Sequence, residues 1–540
     1  MAFGILESSN NARPTGTTLL EDLHANGAQV KAEVILVPQP SSSPADPLNM
    51  SRLRKELLFA TIIFGACVTG VVGPLLVPGF SIIAADFNIT LTQVTYLNGV
   101  LLMGLGISSY LCSCFAQIYG KRLVYLFTTV LCIAACCWGA AAKSYHSLLA
   151  ARFFQGLGMG GFFALAGTGS ISDVFFVHER GFRVGIWNFA VIVSVNMTPI
   201  ISGYVITNLS WQWSFWILAL TFGVLLVMVV CLFPETTFER ETTTEEPIRT
   251  LHHTEVNTVP YTPGEKETAS DADNENEDSA VGQLIEPAKF NLSRDLGLGS
   301  LKIHDQLRIF EMCVTPIMLL RHPGVIWAAA MWSVTFTWVI IQGAVADQIF
   351  EAPPYNMSAI QVGNLVGIAP LIGSALGTLV SGPLSDWLAL FMAKRNNGIY
   401  EPEFRLFLVI PSLISIIIGA FGLASGIQNG TSAIVCGVFL AIINFSVGVG
   451  CTGIVSYSND VFKQNPGGVF GVVMLIKSIF AFGLTFMFNN YYTTHGPLKF
   501  FSLFGGLTTG VMLTTIPIYI YGKKIRDWSD RKGLLEATAW

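Results

Sequence analysis

The stretch ETTTEEPIRTLHHTEVNTVPYTPGEKETASDADNENEDSAVGQ, from Glu241 to Gln283, divides this 540-residue chain into two apolar halves. Between Glu241 and Glu286 the chain holds a dozen acidic residues, two basic residues and few aliphatic or aromatic ones. So little apolar surface cannot offset the entropy lost when a chain is ordered. Residues 239–300 are therefore predicted to form an acidic disordered linker, with six long apolar segments on each side of it.

Composition indicates that both halves lie in a lipid bilayer. Charged residues make up 12% of the chain and hydrophobic residues 52%, whereas about a quarter of a soluble protein is charged. The apolar runs have the length of a helix that spans about 30 Å of hydrocarbon. The sequence predicts an all-α membrane protein with twelve transmembrane helices in two pseudo-symmetric six-helix bundles. The predicted spans are 57–80, 94–116, 123–142, 148–170, 184–206, 213–233, 325–347, 359–380, 405–425, 432–455, 468–490 and 498–521.

The regions outside the spans complete the predicted domain order. That order is a disordered cytoplasmic N-terminal tail (1–50), a first bundle (51–238), the linker (239–300), an interfacial segment (301–324), a second bundle (325–522) and a cytoplasmic C-terminal tail (523–540). Fourteen Lys and Arg residues flank one side of the spans, against only Lys143 and Lys499 on the other. Because basic loops stay in the cytoplasm, both termini and the linker are predicted to be cytoplasmic. The first span, near Leu57, would act as an uncleaved membrane signal.

Asn-X-Ser/Thr sequons bear on the same orientation. Four of them fall in loops predicted to face outward and are candidate glycosylation sites, namely Asn88, Asn208, Asn356 and Asn429. Asn49 and Asn291 begin sequons predicted to lie inside, and Asn196 begins one within a span. The sequons therefore agree with the charge pattern without deciding it.

No cofactor or metal is expected. The ten cysteines lie in or beside apolar segments without metal-ligand spacing, so they are interpreted as packing residues. The phosphate-binding pattern GxxxxGK[ST] is missing from the sequence, which excludes a P-loop ATPase. No basic patch suggests nucleic acid as a partner.

The two halves repeat each other. The fourth span ends in Ile171-Ser-Asp173-Val-Phe175, and the tenth ends in Ser458-Asn-Asp460-Val-Phe462. The turn after the second span, Gln117 to Arg122, corresponds to the turn from Gly382 to Trp387 after the eighth. Six spans followed by six more on a cytoplasmic linker predict a parallel repeat about an axis along the membrane normal.

At these positions the chain resembles the major facilitator superfamily, and within it the fungal members of the twelve-span drug:proton antiporter branch. Its turn signature is matched in the second half and partly lost in the first. The matching residues are Gly382, Leu384, Asp386, Lys394 and Arg395, then Gly120, Lys121 and Arg122, with Ser113, Phe115 and Gln117 replacing the expected Gly, Leu and Asp. The fourth-span signature is present as Arg152, Gln155, Gly156 and Gly158. The fifth-span antiporter signature is degraded to Ser194, Thr198, Pro199, Ser202 and Gly203.

Three further strings resemble fungal relatives that move polyamines and other organic cations, or that export toxic metabolites. They are Trp211-Gln-Trp213-Ser-Phe215, Pro234-Glu-Thr-Thr237 and RNNGIYEPEFRL from Arg395 to Leu406. The resemblance implies the major facilitator fold, alternating access and a location in the plasma membrane.

Lys477 is the most informative single residue. It lies near the centre of VVMLIKSIFAFG, where a charge costs at least about 2.5 kcal/mol. It is expected to bind an anionic group, exclude cations or change protonation during transport. The alternative is a Lys that snorkels or pairs with the end of a neighbouring helix. Its charge argues against a simple polycation site.

Arg152 and Gln155 share one face of the fourth span because they are three residues apart. By resemblance this Arg faces the cavity and takes part in coupling, and the alternative is an anchor at the outer interface. Other polar or aromatic residues are candidates for the cavity wall, each with ordinary helix packing as the alternative. They are Trp187, Asn188, Asn196, Trp338, Gln342, Asn364, Asn444 and Tyr457.

Small residues and acids complete the candidate machinery. Ser194, Thr198 and Ser202 recur every four residues beside Pro199, which predicts a tight, movable helix contact or a static packing seam. No Asp or Glu lies at the middle of a span. Asp173 and Asp460, at cytoplasmic ends, are expected to close gates against nearby Lys and Arg. Asp347, at the outer end of the seventh span, is the candidate proton carrier.

Three functions fit these observations, and none of them is enzymatic. The first is proton-coupled export of a small organic compound, such as a drug or secondary metabolite, by a monomeric transporter. The second is uptake of polyamines or other organic cations. The third is a non-transporting membrane sensor that signals through the linker.

Overall fold

The computed structural model describes residues 4–6, 14–19, 46–175, 177–237, 314, 316–396, 398–462 and 466–533. The predicted linker (239–300) and most of the predicted interfacial segment lie outside these ranges. The first half contains α1 (Arg52–Val72), α2 (Phe80–Phe87), α3 (Leu91–Tyr119), α4 (Lys121–Ala140), α5 (Tyr145–Ala164), α6 (Ile171–Val174), α7 (Val177–Asn208) and α8 (Trp211–Leu232). The second half contains α9 (Pro323–Phe350), α10 (Ala359–Arg395), α11 (Val409–Gln428), α12 (Ala433–Val461), α13 (Pro466–Thr485), α14 (Phe488–Leu513) and α15 (Thr515–Arg531).

The helices confirm the predicted all-α membrane class. Across the described residues, eleven segments are long and apolar enough to cross a membrane. The remaining predicted span is α5, which has 20 residues and packs along α3 and α4. Its apolar character is reduced by the buried Arg152 and Gln155. Two separate hydrophobic cores form, one between Leu58 and Phe233 and the other between Leu319 and Ile518, so the halves are distinct bundles.

Proline and glycine set several helix ends that differ from the predicted ones. α1 stops at Val72 because Pro74 and Pro78 follow, and a 3-10 segment (Pro74–Gly79) leads into α2. α5 stops at Ala164 and continues as a π-helical turn (Ala166–Ser170). α14 begins at Phe488 and is broken at Gly496, whose φ is 77° and which precedes Pro497. The predicted last two spans, 468–490 and 498–521, therefore do not have the same ends as α13, α14 and α15.

Part of the predicted disordered N-terminal tail is ordered against the second bundle. Thr18–Leu19 (β1) pairs antiparallel with Ile399–Tyr400 (β2), which lie in the loop before α11. Arg526 of α15 donates to the Thr15 carbonyl at 2.7 Å. The prediction is wrong for residues 14–19 because this segment finds backbone and side-chain partners more than 300 residues away along the chain.

The predicted C-terminal tail also begins too early. α15 runs to Arg531, nine residues into the segment predicted as tail from 523. Arg526 is 1% exposed and binds Glu403 through Nε at 3.0 Å and Glu401 through Nη2 at 2.8 Å. The two carboxylates compensate the buried guanidinium, and this network holds the helix end against the bundle.

Candidate substrate path and gates

One long seam between the bundles joins α7 of the first half to α10 of the second. Asn196 donates through Nδ2 to Ser374 Oγ at 3.1 Å across it. Gly363 lies opposite the Pro199 carbonyl, and Gly367 lies opposite the Asn196 carbonyl, so the two backbones approach closely. Small residues permit such an approach. The seam therefore brings the predicted candidates Asn196 and Pro199 to the boundary between the halves.

The predicted stripe of Ser194, Thr198 and Ser202 lies mainly on another side of α7. Ser194 packs against Gly70 of α1, in the same half. Thr198 donates back to the Ser194 carbonyl at 2.6 Å and is buried. Gly203, the last residue of the degraded signature, faces Ala359 and Ile360 at the start of α10. Ser194 thus lies in a packing contact within the first half, whereas Gly203 lies in the contact between the halves.

A second seam joins α3 to α13. Gly99 packs on Thr485 and Gly106 packs on Ser478. Nearer the other end, Ser113 donates to the Gly467 carbonyl at 3.2 Å. Ser113 stands where the superfamily turn signature would have Gly, so this departure from the signature coincides with a hydrogen bond between the halves.

At the end predicted to face outward, Phe80, Ser81, Asp347 and Glu351 form a contact between the halves that is here called the outer latch. Asp347 of α9 accepts the Phe80 N–H through Oδ2 at 3.1 Å, at the first residue of α2. Glu351 follows Asp347 by four residues and lies near Ser81 of α2. Both carboxylates lie at a helix N-terminus, where the helix dipole favours negative charge. Asp347 is 6% exposed and its Oδ1 has no partner among the described residues.

Burial changes the acidity of the more exposed carboxyl of the latch. Glu351 lies in the loop after α9, and its partial burial raises its pKa above the ordinary value of 4.5. The outer latch therefore contains a carboxyl that holds its proton more tightly when the latch is closed.

Arg152 is fully buried and reaches across the first bundle instead of anchoring at the outer interface. It donates to the Val72 carbonyl at 2.9 Å and the Gly73 carbonyl at 3.2 Å. It also donates to Asn98 Oδ1 at 2.7 Å and Gln155 Oε1 at 3.0 Å. The carbonyls at the end of α1 lack helical partners because Pro74 interrupts the helix. Arg152 thus stabilises the broken end of α1.

Four of the predicted cavity residues are buried and have partners within their own bundle. Trp338 is fully buried and donates through Nε1 to Thr508 at 2.9 Å, and Asn444 donates to the Leu440 carbonyl at 2.9 Å. Tyr457 is buried edge-on against Trp327, with ring centroids 5.3 Å apart. Gln155 is buried beside Arg152. Trp338 and Tyr457 thus join helices within the second bundle, while Asn444 and Gln155 bond to residues of their own helices.

The remaining predicted cavity residues keep unused polar groups or partial exposure. Gln342 lines a small apolar pocket in the second bundle with Phe350 and Phe501, and its Nε2 has no partner in the described part of the chain. Trp187 is half-buried, and its Nε1 also has none there. Asn188 and Asn364 are half-buried. These side chains remain candidates for contact with a transported compound.

Lys477 lies 2% exposed in α13. Its Nζ is 3.8 Å from the Phe336 ring centroid and 5.8 Å from that of Trp332, both on α9. A cation–π contact stabilises a charge by about 0.5–2 kcal/mol. This is less than the roughly 2.5–3.5 kcal/mol that placing a charge at the centre of a membrane costs. Lys477 neither snorkels to an interface nor pairs with a carboxylate of the described segments.

At the end predicted to be cytoplasmic, the first half carries a charged cluster around Gly120. Lys121 binds Asp173 through its ammonium group. The carboxylate of Glu235 accepts the Lys121 N–H at 3.0 Å and the Arg122 N–H at 3.1 Å. It thereby caps α4, whose N-terminus favours an anion. Gly120 has a φ of 86°, and a Cβ there would lie 2.5 Å from Glu235.

The second half carries the corresponding cluster. Arg405 binds Asp460 through Nε at 2.6 Å and Asp386 through Nη1 at 3.2 Å. The Tyr400 hydroxyl donates to Asp460 at 2.5 Å. Gly382 lies within α10 with open space around it. The two clusters, Lys121–Asp173 and Arg405–Asp460, are here called the inner gates.

Sequence reasoning missed three contributors to these clusters. Glu235 lies in the string Pro234-Glu-Thr-Thr237, and Tyr400 and Arg405 lie in the string from Arg395 to Leu406. Both strings were recognised as resemblances without a role for any residue. The signal that could have identified these three residues is a charged or phenolic side chain next to the end of a predicted span.

The predicted glycosylation sites all fall at exposed positions. Asn88, Asn208, Asn356 and Asn429 are exposed, and each lies at or just beyond the end of a helix. Asn88 and Asn356 adopt left-handed backbone conformations, with φ of 52° and 47°. Their accessibility is what modification would require.

Comparisons with known proteins agree with this architecture. The family model described as the Major Facilitator Superfamily matches residues 57–485. Protein HOL1 of Saccharomyces cerevisiae is 25% identical over 92% of this chain and 91% of its own length. Efflux pump radE of Floropilus chiversii is 24% identical over 90% of this chain and 83% of its own.

A solved structure shares the fold. The human organic anion transporter MFSD10 superposes with a TM-score of 0.52 at 13% identity, covering 85% of this chain and 99% of the other. The two bundles, their seams and the matched family model lead to one conclusion: the chain is a transporter of the major facilitator superfamily, with membrane-spanning helices and no enzymatic role.

Proposed function

We propose that this protein exports a small organic compound from the cytosol by proton-coupled alternating access. The observation that carries the proposal is the presence of closing contacts at both ends of the boundary between the bundles. The outer latch joins Phe80 to Asp347, and at the end predicted to be cytoplasmic Ser113 of the first half donates to the Gly467 carbonyl of the second. An alternating-access transporter needs such contacts to break in turn on the two sides.

Export is favoured over uptake by a relative and by the charge of the path. The relative radE is named as an efflux pump, and its similarity to this protein covers most of both chains. Lys477 lies buried deep in α13 and has no carboxylate within ion-pair distance among the described residues. An organic cation would be repelled at this depth, so polyamine uptake is the weaker proposal.

Asp347 is the proposed proton carrier. Its carboxyl group lies on the boundary between the halves, and one oxygen has no partner in the described residues. A buried carboxyl with a free oxygen can hold a proton there. Protonation would remove the cost of burying the Asp347 charge in the closed latch, which couples proton binding to closure of the outer latch.

The proposed location is the plasma membrane, with the inner gates in the cytosol and the chain working as a monomer. The sensor alternative has less support, because the described residues belong almost entirely to the two helical bundles. Signalling would need a part of the chain outside the described ranges.

Transport into inside-out plasma-membrane vesicles tests the function. Vesicles with and without the protein receive a mixture of fungal metabolites and an acid-inside pH gradient, and mass spectrometry measures what accumulates. We expect protein-dependent accumulation that a protonophore abolishes and that Asp347→Asn reduces. Accumulation only in right-side-out vesicles would contradict export, and indifference to the protonophore would contradict proton coupling.

A further inference from the structure

The environment of Lys477 differs from that of the other buried or half-buried cations of the described chain. Lys121 pairs with Asp173, Arg405 with Asp460, and Arg526 with Glu401 and Glu403. Arg152 has no carboxylate partner among the described residues, but its N–H groups donate to carbonyl and amide oxygens. Lys477 instead has two aromatic rings near its ammonium group and no carboxylate within ion-pair distance among the residues described.

The two rings lie on the side of α9 that faces the other bundle. Gly343 packs on Val77, and Asp347 binds Phe80, so this face of α9 is turned toward the first half. Phe336 precedes Gly343 by seven residues, and Trp332 precedes it by eleven. Seven and eleven residues are close to whole turns of an α-helix, so all four residues share one face.

Lys477 lies beside the second seam. Ser478, the next residue, packs on Gly106 of the first half. Lys477 is one helical step from that contact and points toward the rings of α9, which are half-buried. The ammonium group therefore sits where α13, α9 and the boundary between the bundles meet.

We propose that Lys477, Trp332 and Phe336 form the subsite for the anionic group of the transported compound, and that this compound is an organic carboxylate with an aromatic or other apolar body. This proposal rests on the proposed transport function and names its substrate class. A carboxylate would give Lys477 the charged partner that the described chain does not supply. The rings would pack against the apolar body next to the charged group.

Binding of matched probes tests the subsite. The full-length protein is reconstituted in nanodiscs, and phenylpropionate is compared with phenylpropylamine by the shift in thermal unfolding temperature and by tryptophan fluorescence. We expect saturable binding of phenylpropionate and none of the amine. Lys477→Gln should weaken phenylpropionate binding roughly ten- to hundredfold, the range for loss of one charge-assisted hydrogen bond.

Two control variants keep the result interpretable. Lys477→Arg retains the charge and should retain most of the binding. Trp332→Phe should lose the fluorescence response while the thermal shift remains. Equal binding of phenylpropionate by wild type and a folded Lys477→Gln protein would overturn the proposal, as would stronger binding of the amine.

The experiment separates this subsite from the transport proposal because binding requires no gradient. Lys477-dependent binding in a protein that fails proton-driven export would leave the subsite standing and overturn the coupling. Proton-driven export combined with failure to bind any member of a series of phenyl-substituted carboxylates of increasing chain length would overturn the subsite and leave transport standing.

Discussion

Arg405 binds Asp460 through Nε at 2.6 Å, and this pair mirrors the bond between Lys121 and Asp173 in the other half. In each pair the acid lies at the inner end of the fourth or tenth span. The base lies at the start of α4, the third span, or just before α11, the ninth span. The internal repeat therefore extends from sequence strings to two equivalent ion pairs, one in each bundle.

Removing one partner of an inner gate should slow transport. Asp460→Asn deletes the negative charge that holds Arg405 and Tyr400, so we expect at least a fivefold lower rate, on the scale of about 1 kcal/mol for a partly exposed pair. The rate is measured in inside-out vesicles at matched protein levels. The exchange Arg405→Asp with Asp460→Arg should recover part of the lost rate if the charge pair itself matters. A rate as low as that of Arg405→Asp alone would contradict a pairwise role.

Gly120 and Gly382 both belong to the turn signature but should respond differently to alanine. Gly120 has a φ of 86°, and a Cβ there meets Glu235 at 2.5 Å. Gly120→Ala should therefore cost about 1–3 kcal/mol from backbone strain and displace the cap of α4. Gly382→Ala enters open space within a helix, where Ala is favoured by about 1 kcal/mol. Thermal unfolding in detergent should show a lower midpoint for Gly120→Ala only.

The bundles were predictable because their signals are local. Each span appears as an apolar run of about membrane length, and the repeat of Asp173 and Asp460 places the same ends in both halves. The positions of Asp173 and Asp460 could therefore be predicted from the internal repeat alone. The break before Pro74 moved the end of the first span by several residues, because a proline within an apolar run does not show where before it the helix ends.

The roles of individual side chains depended on contacts distant in sequence. Arg152 was predicted to face the cavity, but its partners are carbonyls of Val72 and Gly73, which are free only because α1 breaks there. Residues 14–19 were predicted to be disordered from their polar composition, but Arg526 and the strand Ile399–Tyr400 order them. Neither contact leaves a periodic pattern in the sequence.

The outer latch should open more readily as pH rises. Burial raises the pKa of Glu351 above 4.5 in the closed latch, and opening would return it toward the ordinary value. The closed state therefore binds the proton more tightly, so acid favours closure, and a rising pH favours opening from about 4.5 up to the raised pKa. The labelling rate of a Val77→Cys protein with an impermeant maleimide, divided by the rate of a permanently exposed cysteine at the same pH to cancel thiol ionisation, should rise across this interval and then level off.

Two variants separate the carboxyls of the latch. Glu351→Gln cannot ionise, so it should remove the part of the pH dependence that comes from this residue. Asp347 also lies in the latch and binds the Phe80 N–H, so Asp347→Asn measures its share in the same labelling assay. Unchanged pH dependence in the double variant would show that neither carboxyl controls the latch.

Close approach of α7 and α10 makes Gly363 a sensitive position in the seam. A Cβ there would lie 2.5 Å from the Pro199 carbonyl oxygen, which is backbone and can retreat only if the helices separate. Gly363→Ala should therefore favour states with a looser seam and lower the transport rate about tenfold, corresponding to roughly 1.4 kcal/mol. A disulfide formed by the double substitution Asn196→Cys with Ser374→Cys, at positions whose wild-type polar atoms are 3.1 Å apart, reports the distance.

Gly510 supplies the matched control for this change, because a Cβ on it meets no atom within 4 Å. Gly510→Ala should leave both the transport rate and the yield of the disulfide across the seam unchanged, while Gly363→Ala lowers both. If Gly363→Ala lowered the rate but left the disulfide yield intact, the seam would be closed in both proteins and the loss would have another cause. If it changed neither, the two helices would have enough freedom to absorb a methyl group, and tight packing at Gly363 would not limit the transport cycle.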